Sequence, residues 1–407
     1  MEGFVFYLGI FGVVIVVSAL LSRAVERTLL SLVIVFVALG LLLGPLGLGW
    51  VHFDLDSPVI EGVLLLTLVL VLFTDGTRIN LGDLRTDWVL PARALGPGIL
   101  LTILLVAGAA IALLGLDPLQ ALLLGVILAP TDPVLVSVIL EDERIPRKVR
   151  QALSVESGFN DGVAISAVLL LIDLLSIRGG VSLTGQVATF AAQLGLGPLL
   201  GLAVGFAGVR ALKWVRDRVG LRQDYESLYS LGLAFAAYAA ATAVGGSGFL
   251  AAFVAGVTSS SLDVELCDCF HEYGEVTVRM LMMLTFVLFG SSLVGMSLPA
   301  LNWRNAAFIA VLFFVARPVA IFLAMIRAPA SLAARGFIAW FGPRGVASIL
   351  LSILPMTAGL PGAEEIFALT GLVVLASVVL HGISAAPLAG WYARRSEPRT
   401  LPEQLVA

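Results

Sequence analysis

The chain has 407 residues, of which 59% are hydrophobic and 13% charged, with a net charge of -4 and a mean hydropathy of +1.04. No class of water-soluble domain is that apolar, so most of its surroundings must be lipid. The charge balance, without any basic stripe, excludes nucleic acid as a partner, because binding it needs clustered phosphate-neutralising cations.

Apolar runs of membrane length recur at 3–22, 29–48, 58–74, 89–115, 119–141, 149–176, 183–209, 225–244, 248–262, 276–297, 305–326, 336–356 and 364–392, which gives about thirteen spans. The first lacks the positive flank of a signal peptide and is long enough to cross a bilayer, so it is expected to stay as a helix. The fold class expected is an all-α polytopic membrane protein with short connections and no sizeable soluble domain. Positive charges alternate between sides. Arg23, Arg27, Arg78, Arg85, Arg144, Arg147, Lys148, Arg150, Arg210, Lys213, Arg216, Arg218 and Arg222 fall in every second connection, joined by Arg394, Arg395 and Arg399 in the tail, against Arg178 and Arg304 opposite. Cytoplasmic loops retain Lys and Arg, which places the N-terminus outside and the C-terminus in the cytoplasm.

A faint internal repeat is present. Leu72-Phe73-Thr74-Asp75-Gly76 is echoed by Leu288-Phe289-Gly290-Ser291-Ser292, and Leu39-Gly40 by Ala255-Gly256. The charge pattern runs these halves in opposite directions, as in transporters built from inverted repeats with paired broken helices. Proline and glycine interrupt two spans at corresponding places, Ala129-Pro130-Thr131-Asp132-Pro133 and Gly342-Pro343-Arg344-Gly345. Such breaks free backbone groups that are tolerated in a bilayer only when buried or lining a cavity.

Asp132, Glu156, Asp161, Arg317 and Arg344 lie inside expected spans, each at a cost of about 2.5–3.5 kcal/mol at a helix centre. Pairing among them as a fold-organising network leaves one negative charge in excess, which suits a site awaiting a cation or a proton. In a helix, Glu156, Ser157, Asn160 and Asp161 share an arc of about 140°. Asp161 lies about 18 Å from the cytoplasmic end of its span, near the midplane. Two carboxylates, a hydroxyl, an amide and freed carbonyls at Pro130 and Thr131 are the hard oxygen ligands that Na⁺ or Li⁺ needs. Neighbouring carboxylates in a low-dielectric site also take up a proton readily, so cation and proton would compete for the same oxygens.

Other readings remain. Gly245-Gly246-Ser247-Gly248 fits the GxSG pattern of an intramembrane serine protease, with His381 as its base, or equally a glycine-rich helix start. An aspartyl protease would need a GxGD sequence, which is absent. The segment Asp263 to Glu275, read as a cytoplasmic loop, holds Cys267, Cys269 and His271 and is either a soft-metal site or a solvated acidic loop. A cation channel would also place carboxylates at midplane, and a sensor would bind cations without moving them.

Thr131-Asp132-Pro133, Glu156-Ser157, Asn160-Asp161, Gly342-Pro343-Arg344-Gly345 and Gly246-Ser247-Gly248-Phe249-Leu250-Ala251-Ala252 together resemble the monovalent cation/proton antiporter superfamily, specifically its NhaP and NHE exchangers. The resemblance implies an antiporter fold of NhaA/NhaP type. In it Asp132 and Asp161 bind Na⁺ (or Li⁺ or K⁺) or a proton, Ser157 and the Thr131 backbone complete the shell, Asn160 supports it, and Glu156 and Arg344 form a structural ion pair. It further implies a homodimer with no cofactor and no enzymatic activity, in which a mobile core shifts against an interface domain. Residues 1–88 and 225–304 would supply the interface helices, 89–182 and 305–407 the core, and 183–224 a linker. Asn160-Asp161, where electrogenic relatives carry two aspartates, implies electroneutral exchange. The large cytoplasmic tail of many animal exchangers has no counterpart here, and compactness points to a prokaryotic plasma membrane.

Overall fold

The structure, a computed structural model, describes residues 32–51, 58–79, 88–132, 135, 139–140, 142–176, 183–220, 222–262 and 264–396, with scattered positions between 9 and 20. The expected first span, Pro133, His52 and Arg178 lie wholly or largely outside the described residues. Every other expected span has helix in its place. These are α1 (Leu32–Leu43), α2 (Pro58–Thr77), α3 (Val89–Leu114), α4 (Pro118–Ile127), α5 (Arg147–Leu175), α6 (Leu183–Val219), α7 (Gln223–Ala243) and α8 (Gly248–Leu262). Then come α9 (Val264–Leu288, continuing through the wide turn Phe289–Leu293 to Val294–Ser297), α10 (Trp303–Ala324), α11 (Leu332–Trp340), α12 (Val346–Thr357) and α13 (Ala363–Ser396). No strand occurs among the described residues.

The short helices α4, α11 and α12 are halves of interrupted spans. Asp117 accepts a hydrogen bond from the Leu119 N–H at the start of α4, where Pro118 occupies the first turn. Ser331 caps α11 by accepting from the Ala334 N–H. One expectation is corrected. The segment Asp263 to Glu275, read as a loop, is helical from Val264 onward. No glycine or proline occurs between 264 and 273 to stop it, so the helix continues past its apolar stretch. Helix α6 is 37 residues long, about 55 Å against a hydrocarbon core of about 30 Å, so it must tilt or project.

Small residues bring the helices together. Gly197, Gly201 and Gly205 lay one face of α6 against Ser247, Ala251 and Ala255 of α8, the close approach that small residues at four-residue spacing permit. Two crossings are built alike. A Cβ on Gly40 of α1 would fall on the Val287 carbonyl and one on Gly290 of α9 on the Val37 carbonyl, while Gly76 of α2 and Gly256 of α8 meet the Phe253 and Phe73 carbonyls in the same reciprocal way. The sequence echo aligned Gly76 with Ser292, whereas the contacts make Gly290 its counterpart.

Buried apolar side chains of α1, α2, α7, α8 and α9 form one cluster, which also takes in Val155 of α5, Val346, Ile349 and Ile353 of α12, and Phe367, Val374 and Val378 of α13. Two others are built from α3, α4, α5, α10, α11, α12 and α13. Helices α5, α12 and α13 contribute to both groups and so lie between them, and α5 carries Glu156 and Asp161. Gly256→Val should lower the thermal unfolding temperature of the purified protein by several degrees, since overpacking costs about 1–3 kcal/mol. Gly232→Ala, at a position with nothing within 4 Å, should leave it unchanged; tryptophan fluorescence on heating reads both.

Candidate functional site

Helix α4 ends at Ile127 and α11 at Trp340, and the extended stretches that follow them touch. The Asp132 N–H donates to the Pro343 carbonyl at 2.8 Å. The Asp132 carboxylate in turn accepts from the Val346 N–H, the first residue of α12, at 3.0 Å. Each break thus satisfies backbone groups that the other leaves open, and a carboxylate sits at the positive end of a helix that begins inside the membrane. Position 345 must be glycine, because a Cβ there would fall on the Asp132 carboxylate.

Helix α5 runs past this crossing. Gly158 and Gly162 let it approach α8, where their missing side chains are replaced by Phe253 and Leu250, and Phe159 meets Phe253 edge-on at 5.3 Å. The polar residues of this helix near the crossing are buried, with Ser157 3%, Asn160 1% and Asp161 5% exposed, against 4% for Thr131 and Asp132. Asn160 Nδ2 donates to Thr131 Oγ1 at 2.9 Å, tying α5 to the first break. The Ser157 hydroxyl donates to the Leu153 and Ser154 carbonyls at 3.0 and 3.1 Å, which leaves its lone pairs open. Among the described residues Asp161 Oδ1 and Asn160 Oδ1 are buried with no hydrogen-bond partner, as are Arg317 Nε and Arg344 Nε and Nη2. A buried carboxylate oxygen left unsatisfied is costly, and a cation or a proton relieves that cost.

Asp75 belongs to this group as well. It is 5% exposed on α2 and, like Asp132, lies within electrostatic reach of Asp161. Its Oδ1 is 3.9 Å from Arg78 Nη1. The sequence reading missed it because the apolar run was ended at 74; α2 continues to Thr77.

The expected ion pair of Glu156 with Arg344 is corrected. Glu156 Oε1 receives Arg317 Nη1 of α10 at 2.6 Å, and Arg317 Nη2 reaches the Ile338 carbonyl at 3.5 Å. The guanidinium lies against Gly342, where any side chain would collide with it. Arg344 is on the extended stretch and turns back to donate through Nη1 to the Gly342 carbonyl, although its charge is still felt by Glu156. All three side chains are at most 2% exposed. The protease pair is not formed. Ser247 Oγ accepts from the Leu250 N–H at the start of α8, and the imidazole of His381 faces Ser377 and Trp340. The side chains of Cys267, Cys269 and His271 lie outside the described residues.

Buried carboxylates at the crossing of two interrupted helices are the architecture of a secondary transporter. Comparison with known proteins makes this specific. Residues 13–391 match the family described as "Sodium/hydrogen exchanger, transmembrane". The K(+)/H(+) antiporter NhaP2 of Shewanella sp. (strain ANA-3) is 32% identical over 400 residues, 95% of this chain and 67% of the relative. The K(+)/H(+) antiporter NhaP of Alkalimonas amylolytica is 29% identical, covering 98% and 68%, and the Na(+)/H(+) antiporter NhaG of Bacillus atrophaeus 27%, covering 94% and 74%. The solved structure of the sodium proton antiporter MjNhaP1 from Methanocaldococcus jannaschii superposes with a TM-score of 0.80 at 20% identity, over 96% of this chain and 99% of that one. The chain belongs to the sodium/hydrogen exchanger family, an integral membrane family whose class of activity is cation/proton antiport.

Removing one member of a buried ion pair strands the other, at a cost of about 3–5 kcal/mol. Arg317→Met should therefore destabilise the protein strongly, and Glu156→Gln added to it should recover much of the loss. The coupling measured by a double-mutant cycle of thermal unfolding should be larger for Glu156 with Arg317 than for Glu156 with Arg344.

Proposed function

We propose that the chain exchanges one monovalent alkali cation for one proton, the two competing for Asp161 and Asp132, with Ser157 and the Thr131 backbone completing the cation shell and Asn160 holding it in place. The observation that carries this reading is the pair of unpartnered oxygens, Asp161 Oδ1 and Asn160 Oδ1, buried beside the crossing. Charge counting supports the stoichiometry. Asp132, Asp161 and Glu156 against Arg317 and Arg344 leave a single negative charge, and Asp75 is offset by Arg78. One cation or one proton neutralises the core in either state, and a second of either would have to be buried uncompensated.

Relatives named for K⁺ and for Na⁺ both match, and those named for K⁺ are the more similar, so K⁺ stands first among the ions to test and Na⁺ second. Alternating access would carry residues 89–182 and 305–407 as a core against interface helices from 1–88 and 225–304, with 183–224 as linker. Two apolar clusters drawn wholly from 89–182 and 305–407, and a third drawn mainly from the interface helices, support this division. The reciprocal glycine crossings support inverted repeats. The distribution of Arg and Lys supports an outside N-terminus and a cytoplasmic C-terminus, the bacterial relatives a plasma membrane, and the antiporter class a homodimer and a role in pH homeostasis.

Proteoliposomes with a trapped pH dye and an imposed proton gradient test the reading. External K⁺ or Na⁺, but not choline, should drive proton movement, Asp161→Ala should abolish it, and an imposed membrane potential should leave the rate unchanged. Cation-independent proton movement, or unitary currents in planar bilayers, would refute it.

A further inference from the structure

Helix α13 presents Ser377, His381 and Ser384 at four- and three-residue spacing, one face of a helix. All three reach the break between α11 and α12. Ser384 Oγ accepts from Trp340 Nε1 at 2.9 Å, His381 Nε2 is 3.0 Å from the Trp340 carbonyl, and Ser377 Oγ accepts from the Arg344 N–H at 2.6 Å. Trp340 is the last residue of α11, and Arg344 precedes α12 by two. The last helix therefore grips both edges of the gap.

A carbonyl oxygen can only accept, and the His381 ring faces one through each nitrogen, that of Trp340 at Nε2 and that of Ser377 at Nδ1. On the other side of the ring, Nδ1 is 3.2 Å from Ser377 Oγ and 3.0 Å from the Ser377 carbonyl. The contacts form one continuous chain: the Arg344 N–H donates to Ser377 Oγ, Ser377 Oγ meets His381 Nδ1, and His381 Nε2 meets the Trp340 carbonyl. The rings of Phe313, Trp340 and Phe341, with centroids 5.5, 5.6 and 6.4 Å from the imidazole, hold it in place.

Between the two clamped edges lies Pro343, whose carbonyl holds the Asp132 N–H, and just beyond them Val346, whose N–H holds the Asp132 carboxylate. We propose that His381 and Ser377 are positioning residues for the cation site, bridging the ends of the second break so that Pro343 and Val346 keep Asp132 in its binding geometry. The proposal rests on the antiport reading above and adds two residues outside the cation shell to it.

Purified wild type, His381→Ala, His381→Gln and Ser377→Ala, reconstituted at matched amounts, are assayed for proton movement against K⁺ and Na⁺ concentration. His381→Ala and Ser377→Ala should each raise the half-saturating cation concentration about five-fold, the worth of one ordinary hydrogen bond, with the maximal rate within about two-fold of wild type. His381→Gln, whose amide both donates and accepts, should restore most of the affinity. An unchanged half-saturating concentration in Ser377→Ala and His381→Ala, with loss confined to folded yield or maximal rate, would overturn the proposal; Ser377→Ala decides alone if His381→Ala does not fold. If wild type itself shows no exchange, the antiport reading falls instead. Cation-induced thermal stabilisation then decides the clamp, which requires Ser377→Ala to need about five-fold more cation and is overturned by an equal cation dependence.

Discussion

The Asp132 N–H and the Pro343 carbonyl, 2.8 Å apart, join two backbones that have each left their helix inside the membrane. In hydrocarbon an unmade backbone hydrogen bond costs several kcal/mol, so neither break would persist alone. Made together, they convert a liability into a fixed crossing, and what surrounds it follows from that need. Gly345 leaves room for the Asp132 carboxylate and Gly342 for the Arg317 guanidinium. Asn160 ties the first break to α5, and Ser377 and His381 tie the second to α13.

The backbone N–H groups of Asp132, Val346 and Arg344 are committed, to Pro343, Asp132 and Ser377, while Asp161 and Asn160 each keep a buried oxygen with no hydrogen-bond partner among the described residues. In the proposed exchange a cation would supply these oxygens with a positive partner directly, and a proton would supply it as a hydrogen bond. The ion pair of Glu156 with Arg317 anchors α5 to α10 on the same helix that carries Asp161, so the binding residues are held from both sides.

Much of this was legible in the sequence. Spans, breaks and intramembrane carboxylates are all announced by residue types that are costly in lipid, and cost makes a signal. Thr131, Asp132, Glu156, Ser157, Asn160, Asp161 and Arg344 are all buried at or beside the crossing. What was not legible depends on distance. Two buried arginines compete for Glu156, and only the direction of each side chain assigns the pair to Arg317. Asp75 was lost to a span boundary set by hydropathy rather than by where α2 ends. The Asp263–Glu275 segment read as loop because its charges resemble solvent-facing turns, yet no residue near its start breaks a helix. His381 invited a catalytic reading through its residue type; its place opposite the Trp340 carbonyl gives it a structural partner instead.

In the proposed exchange, cation and proton occupy the same oxygens in turn. Isothermal titration of K⁺ or Na⁺ into the purified protein, in buffers of different ionisation enthalpy, measures the protons released as cation binds. Competition at Asp161 and Asp132 requires close to one proton released per cation at a pH where the empty site is protonated, and no release in Asp161→Ala. Cation binding to wild type with no proton released at any pH would contradict the account.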